Sequence, residues 1–285
     1  MNDQADILID AHAALGEGAF WHARAQKLYW IDILGKSLHV YDPATNTDQA
    51  MDLCRMPGTV VPRASGGWLL ATEDGIGSFD GKTFTVMVNP EKDRPENRFN
   101  DGKCDPAGRF WAGTMGRKPQ PGMGSLYRLD PDLSIHTMLT NLTISNGIVW
   151  TSDARTMYFI DTPTRAVAAF DYDLATGNIS NRREVINVSK DFGAPDGMTI
   201  DAEDMLWVCH WGSGEVVRWN PKTGQALRRI KTGATQTSSC TFGGANLDKL
   251  FITSARDKKE DEPHAGAVFV ADPGVKGVVL PESSM

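Results

Sequence analysis

The feature that most constrains the fold of this 285-residue chain is a series of six short apolar runs. The runs begin at Leu28, Trp68, Phe110, Met157, Leu206 and Leu250. Each is rich in aromatic and β-branched residues and too short for a helix, so each predicts a β-strand. Their spacing of about 45 residues is the period of a β-propeller blade.

Further strands surround each run in a fixed order. One precedes it, as at residues 146–150, and a second follows it, closed in four units by Asp-Pro or Asn-Pro. A third, weaker strand often comes next. We therefore predict an all-β, six-bladed β-propeller with about four antiparallel strands per blade, in a single domain over residues 1–285. A β-sandwich with chance spacing is the alternative.

The two ends of the chain are predicted to close the ring. Residues 7–9 would join the last blade and pair the N-terminal strand with the C-terminal ones. The unit at residues 60–81 is the most degenerate, because no acid or amide stands at the start of its inner strand.

Composition limits the partners. With 29 Lys and Arg against 36 Asp and Glu, the net charge is −7, which argues against a nucleic-acid partner. No long apolar stretch predicts a membrane helix, and the acidic N-terminal residues do not resemble a secretory leader. The four cysteines form no C-x-x-C pair. We expect a cytoplasmic protein, monomeric or weakly self-associating.

Polar residues recur ten or eleven positions before the apolar runs. They are Glu17, Asn100, Asn146, Asp196 and Ser239. Because the first strand of each propeller blade lines the central axis, these five side chains should converge at one end of it.

Three of these residues predict a metal site. Glu17, Asn146 and Asp196 offer oxygen donors without sulfur or imidazole, a set that suits a hard or borderline divalent cation with water in the open positions. Two carboxylates leave a divalent ion nearly neutral, so it can act as a Lewis acid. The alternative is that Asn146-Gly147 and Asp196-Gly197 are ordinary turn dipeptides.

Arg98 and Asn100 are candidates for binding substrate. They stand two residues apart, so on an extended strand they point to the same side, while Asp101 points to the other. His210 ends a strand near the same face, where we expect a pocket wall or a packed residue rather than a base.

The sequence resembles the SMP-30/gluconolactonase/luciferin-regenerating family of six-bladed propellers. The matching segments span nearly the whole chain and include Leu15-Gly-Glu-Gly18, Asn97-Arg-Phe-Asn-Asp-Gly-Lys103, Ser145-Asn-Gly147 and Pro195-Asp-Gly197. The resemblance implies a metal-dependent lactonase acting on sugar lactones. It also implies Glu17, Asn146 and Asp196 as metal ligands and Arg98 and Asn100 as substrate contacts.

The predicted reaction is hydrolysis of an aldonic, uronic or aldaric lactone to the open acid. The cation, Ca²⁺ in the first instance with Zn²⁺, Mn²⁺, Mg²⁺ or Fe²⁺ as alternatives, would polarise the carbonyl and activate water. Asp196 is the candidate proton acceptor. Two other functions stay open. One is a calcium-dependent phosphotriesterase or aryl esterase, and the other is a non-catalytic propeller that binds a protein partner.

Two long connections should lie over the site. Residues 116–123 and 256–265 follow the second strands of their units and are predicted to emerge on the metal-site face. They carry Arg117, Lys118, Arg256, Lys258 and Lys259. A basic rim would favour a lactone that also bears a carboxylate. The alternative is that these cations only keep the surface soluble.

Overall fold

The computed structural model describes residues 3–285, so the first two residues of the predicted 1–285 domain lie outside the described residues. It contains 24 β-strands in six four-stranded antiparallel sheets. The first strand of each sheet contacts the first strand of the next sheet, and the last contacts the first, which closes a ring. The predicted six-bladed β-propeller is confirmed.

The strands occupy four positions from the axis outward. The inner strands are β2 (Gly16–His22), β6 (Pro57–Pro62), β10 (Asn97–Cys104), β14 (Ser145–Trp150), β18 (Ala194–Ile200) and β22 (Thr237–Gly243). The second strands are β3 (Lys27–Asp32), β7 (Trp68–Thr72), β11 (Phe110–Gly116), β15 (Thr156–Asp161), β19 (Leu206–Trp211) and β23 (Lys249–Ser254). These six second strands are the six apolar runs of the sequence.

The remaining two positions are farther from the axis. The third strands are β4 (Ser37–Asp42), β8 (Gly75–Phe79), β12 (Gly124–Leu129), β16 (Ala166–Tyr172), β20 (Glu215–Asn220) and β24 (Val268–Ala271). The outer strands are β5 (Thr47–Asp52), β9 (Phe84–Val88), β13 (Ile135–Leu142), β17 (Ile179–Asn187), β21 (Gln225–Lys231) and β1 (Asp6–Ile9). Blades one to six are numbered below by the chain order of their inner strands.

The N-terminal strand closes the ring as predicted. β1 pairs antiparallel with β24 and supplies the outer strand of blade six. Blade one has its own outer strand, β5, so the N-terminal strand completes only the last blade. Blade two, although degenerate in sequence, has all four strands.

Burial falls from the axis outward. β2, β6 and β14 are buried along their whole length, whereas most residues of the outer strands β5 and β17 are exposed. Apolar side chains pack between neighbouring blades in five clusters, including the fully buried Trp30, Trp111 and Trp207. Burial of this apolar surface is the main stabilising term of the fold.

Two aspartates shape the loops between inner and second strands. Asp105 accepts hydrogen bonds from the Ala107 and Arg109 amides through Oδ1 and from the Trp111 indole through Oδ2. Asp201 does the same in blade five, with Trp207 as its indole partner. Each carboxylate therefore satisfies a turn and a buried indole together.

The C-terminal segment, residues 272–285, crosses the face formed by these loops. Gly277 forms an isolated bridge with Asp201, and the amides of Ser283 and Ser284 donate to the carbonyls of Pro62 and Gly108. Glu282 pairs with His22. The segment thus connects several blades on the face opposite the predicted site, which we call the tail face.

Helix is confined to two single 3-10 turns, Thr162–Thr164 and Lys190–Phe192, within residues 3–285. Neither of these described helices has the length or apolar character needed to cross a membrane.

Candidate functional site

A β-bulge lies at the same position in all six inner strands. The antiparallel register breaks between Glu17 and Phe20, Pro57 and Thr59, Phe99 and Asp101, Ser145 and Ile148, Pro195 and Met198, and Thr237 and Cys240. A bulge redirects side chains relative to the regular pleat. Repetition of the bulge around the ring explains how the matched positions of the sequence converge on the axis.

The Asx-Gly dipeptides at these positions are not turns. Asn146-Gly147 lies inside β14 and Asp196-Gly197 inside β18. A Cβ on Gly147 would stand 2.8 Å from the Asp196 carbonyl oxygen, and one on Gly197 would stand 2.8 Å from that of Ser238. The turn alternative is therefore wrong here. Glycine is needed because neighbouring inner strands approach too closely for a side chain.

The five predicted site residues line one cavity of about 360 Å³. Blade one supplies Glu17, blade three Arg98 and Asn100, blade four Asn146 and blade five Asp196. All but the half-buried Arg98 are buried. The structure thus brings together every residue to which the sequence assigned a metal-binding, substrate-binding or catalytic role.

Hydrogen bonds fix the two residues of blade three. Arg98 donates through one guanidinium nitrogen to the Phe99 carbonyl at 2.9 Å and to Asn100 Oδ1 at 2.8 Å. The Asn100 amide nitrogen donates to the Ser145 carbonyl at 2.9 Å. Arg98 is therefore bonded to Asn100, and Asn100 is bonded to blade four.

The site contains carboxyl and amide oxygens that lack protein partners. Asn146 Oδ1 and Asp196 Oδ1 are buried and accept no hydrogen bond from any group in residues 3–285. A buried oxygen without a partner is costly, so a group that binds both atoms would relieve the cost. Oxygen donors from two carboxylates and an amide fit a divalent cation. Within residues 3–285 no group of three or more His, Cys, Asp or Glu residues could hold a metal ion, and the candidate set here has only two residues of these types, Glu17 and Asp196.

The electrostatics of the cavity also favour a bound cation. Burial, and then the nearby Asp196 and Asp101 charges, raise the pKa of Glu17 well above its ordinary value. Burial followed by the Asp101 charge does the same to the pKa of Asp196. Without a cation these carboxylates resist ionisation, and a nearby positive charge would reverse that.

Arg98 is the most buried of the cations that line the cavity. Burial lowers its pKa to about 10, against the opposing pull of Glu17 and Asp196. The guanidinium therefore stays charged at neutral pH and partly balances the two carboxylates.

Asp101 lies behind the cavity wall. Its Oδ1 accepts the Gly102 amide at 2.6 Å, and its Oδ2 is buried with no hydrogen-bond partner in residues 3–285. Burial raises its pKa. Although Asp101 does not line the cavity, its charge affects both Glu17 and Asp196.

The apolar wall of the cavity was not predicted. Leu15, Ile144 and Ala194 line the cavity two residues before Glu17, Asn146 and Asp196, respectively. Residues two apart on a strand face the same side, so this register could have revealed them. Met115 and Trp211, at the ends of second strands, complete the wall. Neither stands two residues before a predicted metal ligand, so that register could not have revealed them.

Thr162 is a second omission. It follows β15, lines the cavity and lies within hydrogen-bond distance of Asn146. Ser239, by contrast, occupies a matched position but only accepts the Ala19 amide through its hydroxyl at 3.3 Å, and it does not line the cavity.

His210 is a packed residue. It is fully buried in blade five, its Nε2 accepts the Trp219 indole N–H at 3.2 Å, and its ring lies against Phe192. Burial lowers its pKa to about 3. The imidazole is therefore neutral at neutral pH, and it lies outside the cavity lining.

The two long connections reach the site as predicted. Arg117 and Pro119 from the first, and Asp257 and Lys258 from the second, line the cavity. The basic rim is partly neutralised, since Arg117 pairs with Glu73 at 2.6 Å and Lys259 with Glu262 at 2.9 Å. Lys258 is 89% exposed and stands 4.0 Å from Asp257.

A separate cavity of about 240 Å³ lies at the tail face. The C-terminal segment covers it, and its lining is mainly apolar, with Lys103 as its one charged residue. No carboxylate lines this cavity among the described residues, so the candidate functional site is the cavity on the opposite face.

Comparison with known sequences gives a family match. The model described as the SMP-30/Gluconolactonase/LRE-like region matches residues 15–256. Regucalcin from Xenopus laevis is 38% identical over 277 residues, which cover 93% of this chain and 93% of the relative.

Solved structures give the same picture. A calcium-binding protein, regucalcin, from Agrobacterium tumefaciens superimposes with a TM-score of 0.92 at 29% identity, over 99% of this chain and 97% of its own. A gluconolactonase from Xanthomonas campestris superimposes with a TM-score of 0.77 at 26% identity, over 94% and 89%.

Proposed function

This chain belongs to the SMP-30/gluconolactonase/LRE-like family, and we propose that it is a metal-dependent hydrolase that opens a sugar lactone to the free acid. One observation carries the proposal. Polar side chains from four blades meet in a single cavity, and two of their buried oxygens lack a partner in the part of the chain that the structure describes.

Glu17, Asn146 and Asp196 would hold the cation. Ca²⁺ is the first candidate, since the similar Agrobacterium protein is described as calcium-binding, and Zn²⁺, Mn²⁺, Mg²⁺ and Fe²⁺ are alternatives. When bound, such an ion withdraws electrons from a carbonyl and lowers the pKa of water.

The chain's own residues would do the rest. Arg98 and Asn100 would orient the sugar oxygens, and the apolar wall at Leu15, Ile144 and Trp211 would pack against the ring and exclude bulk water. Asp196 would accept the proton of the attacking water on a carboxylate oxygen. Its burial raises its basicity, although holding a cation reduces it again.

The substrate we propose is an aldonic, uronic or aldaric lactone. The named activity of the Xanthomonas gluconolactonase supports this class, and the cavity is large enough for one sugar ring. A cytoplasmic location, a monomeric or weakly associated state and a single domain over residues 1–285 remain predictions.

The test is a substrate panel measured before and after removal of metal. Protein dialysed against chelator should lose turnover of sugar lactones, and one divalent cation should restore it. Full activity in verified metal-free protein would contradict the metal mechanism. Preference for an organophosphate or an aryl ester would favour the esterase alternative. No turnover with any metal would leave the protein-binding alternative.

A further inference from the structure

We propose that Thr162 is a positioning residue of the cation site, which turns the carbonyl oxygen of the Asn146 side chain towards the ion. The inference rests on the proposed function, because it concerns the same site. It identifies a residue outside the predicted ligand set on which the cation affinity of that set depends.

The Thr162 hydroxyl makes two contacts. Thr162 Oγ1 lies 3.0 Å from Asn146 Nδ2 and 2.9 Å from the carbonyl oxygen of Pro195. A hydroxyl has one proton to donate, and a carbonyl can only accept. The proton therefore goes to Pro195, and Thr162 must accept a hydrogen bond from Asn146.

That acceptance fixes the amide. Of the two atoms at the end of the Asn146 side chain, only the NH₂ group can donate. The NH₂ group must therefore face Thr162, which leaves Oδ1 on the other side. Oδ1 is the buried atom without a partner among the described residues, and it is the atom a cation requires.

Thr162 also connects two of the proposed ligands. Asn146 belongs to blade four, and Pro195 directly precedes Asp196 in blade five. The hydroxyl therefore links the side chain of one ligand to the backbone that carries another. Groups that hold metal ligands in this way typically change metal affinity by about 10- to 100-fold when they are removed.

The chain offers a closely matched set of variants. Thr162→Val keeps a similar shape but removes the acceptor, and Thr162→Ser keeps the hydroxyl. Thr164→Val is the control, because Thr164 lies in the same 3-10 turn and its hydroxyl donates to the Asp161 carbonyl at 2.7 Å, outside the site cavity.

Calcium binding is measured by calorimetry on chelator-treated protein. We expect Thr162→Val to bind Ca²⁺ about tenfold more weakly, Thr162→Ser to stay within about threefold of the unmodified protein, and Thr164→Val to match it. If the unmodified protein binds Ca²⁺ and Thr162→Val binds it equally well, the inference is wrong while the proposed function stands. Equal losses in the Val and Ser variants would also overturn it. If the unmodified protein binds none of the divalent cations named above, both fail.

A second measurement covers the case in which Thr162→Val does not fold. In metal-free unmodified protein, the Asn146 side-chain amide protons, assigned by comparison with Asn146→Ala, should exchange with solvent much more slowly than those of the exposed Asn141. Exchange as fast as that of Asn141 would show that Thr162 does not hold the amide, and would reject the inference.

Discussion

At the scale of single residues, Glu17 illustrates a conflict between binding and stability. Burial and the neighbouring Asp196 raise its pKa, so the ionised carboxylate destabilises the metal-free fold. A group with a raised folded-state pKa contributes stability at low pH and loses it as the pH rises. Neutralising Glu17 should therefore stabilise the protein while removing a ligand.

We expect Glu17→Gln to melt higher than the unmodified protein when metal is absent, by about 2 to 4 °C for each kcal/mol relieved. Added Ca²⁺ should then stabilise the variant far less than the unmodified protein. Glu184→Gln, on the exposed outer strand β17, is the control and should change neither value. A lower melting temperature together with unchanged calcium stabilisation would exclude Glu17 from the ligand set.

His210 predicts a pH effect of the opposite sign. Its folded-state pKa of about 3 lies below the ordinary value of 6.5, so the unfolded chain takes up a proton first as the pH falls. The free energy of unfolding should then fall between about pH 6.5 and 3, by at most about 1.4 kcal/mol per pH unit from this residue.

The measurement compares the unmodified protein with His210→Gln, which keeps an acceptor for the Trp219 indole but does not titrate. Denaturant melts from pH 7 to 4 should show a shallower loss of stability in the variant. Because other groups titrate in both proteins, only the difference in slope is attributed to His210. Parallel slopes would contradict a neutral, buried imidazole.

At the scale of elements, the sequence predicted what depends on apolar pattern. The second strands are apolar and aromatic and are buried over most of their length, so their runs are unambiguous. Outer strands such as β5 are exposed and polar, so the sequence predicts them only as a weaker strand that often follows the others. The bulges could not be predicted, because an alternating apolar pattern does not show where an extra residue is inserted. The orientation of the Asn146 amide and the role of Thr162 depend on contacts between blades, so they could not be predicted either.

The long connections allow a prediction about substrate charge. Arg117 and Lys259 are neutralised by ion pairs, which leaves Lys258 as the most exposed cation on the cavity lining. We expect Lys258→Glu to lower kcat/KM for an anionic sugar lactone about three- to tenfold at low salt, with less effect on a neutral one. The difference should shrink at high salt because exposed charges are screened.

Lys222→Glu is the matched control. It makes the same charge change at an exposed position in the connection between β20 and β21, away from the cavity. Equal losses on the neutral and anionic lactones, or the same effect from Lys222→Glu, would mean that the rim cations serve solubility alone.

At the scale of the whole molecule, the chain closes its ring at two levels. β1 completes blade six, which the sequence predicted from the apolar residues near its N-terminal end. The C-terminal segment adds a second closure across the tail face, which was not predicted. Its backbone and side-chain hydrogen bonds join groups far apart in the chain, and no local pattern encodes such contacts.

The second closure should stabilise the fold without taking part in the site. Removing residues 274–285 would expose the cavity of the tail face and break the backbone hydrogen bonds to blades two, three, five and six. We expect the melting temperature to fall by about 5 °C or more, since each kcal/mol corresponds to about 2 to 4 °C in a chain of this size. Calcium affinity, measured below the melting transition, should stay within about threefold, because the cation site lies on the opposite face.

Glu282→Gln, which removes only the charge paired with His22 and Arg24, should lower the melting temperature less. A truncated protein that melts at the same temperature would show that the segment does not stabilise the closed ring. A truncated protein that stays folded but binds calcium more weakly would show that the two faces are coupled through the axis.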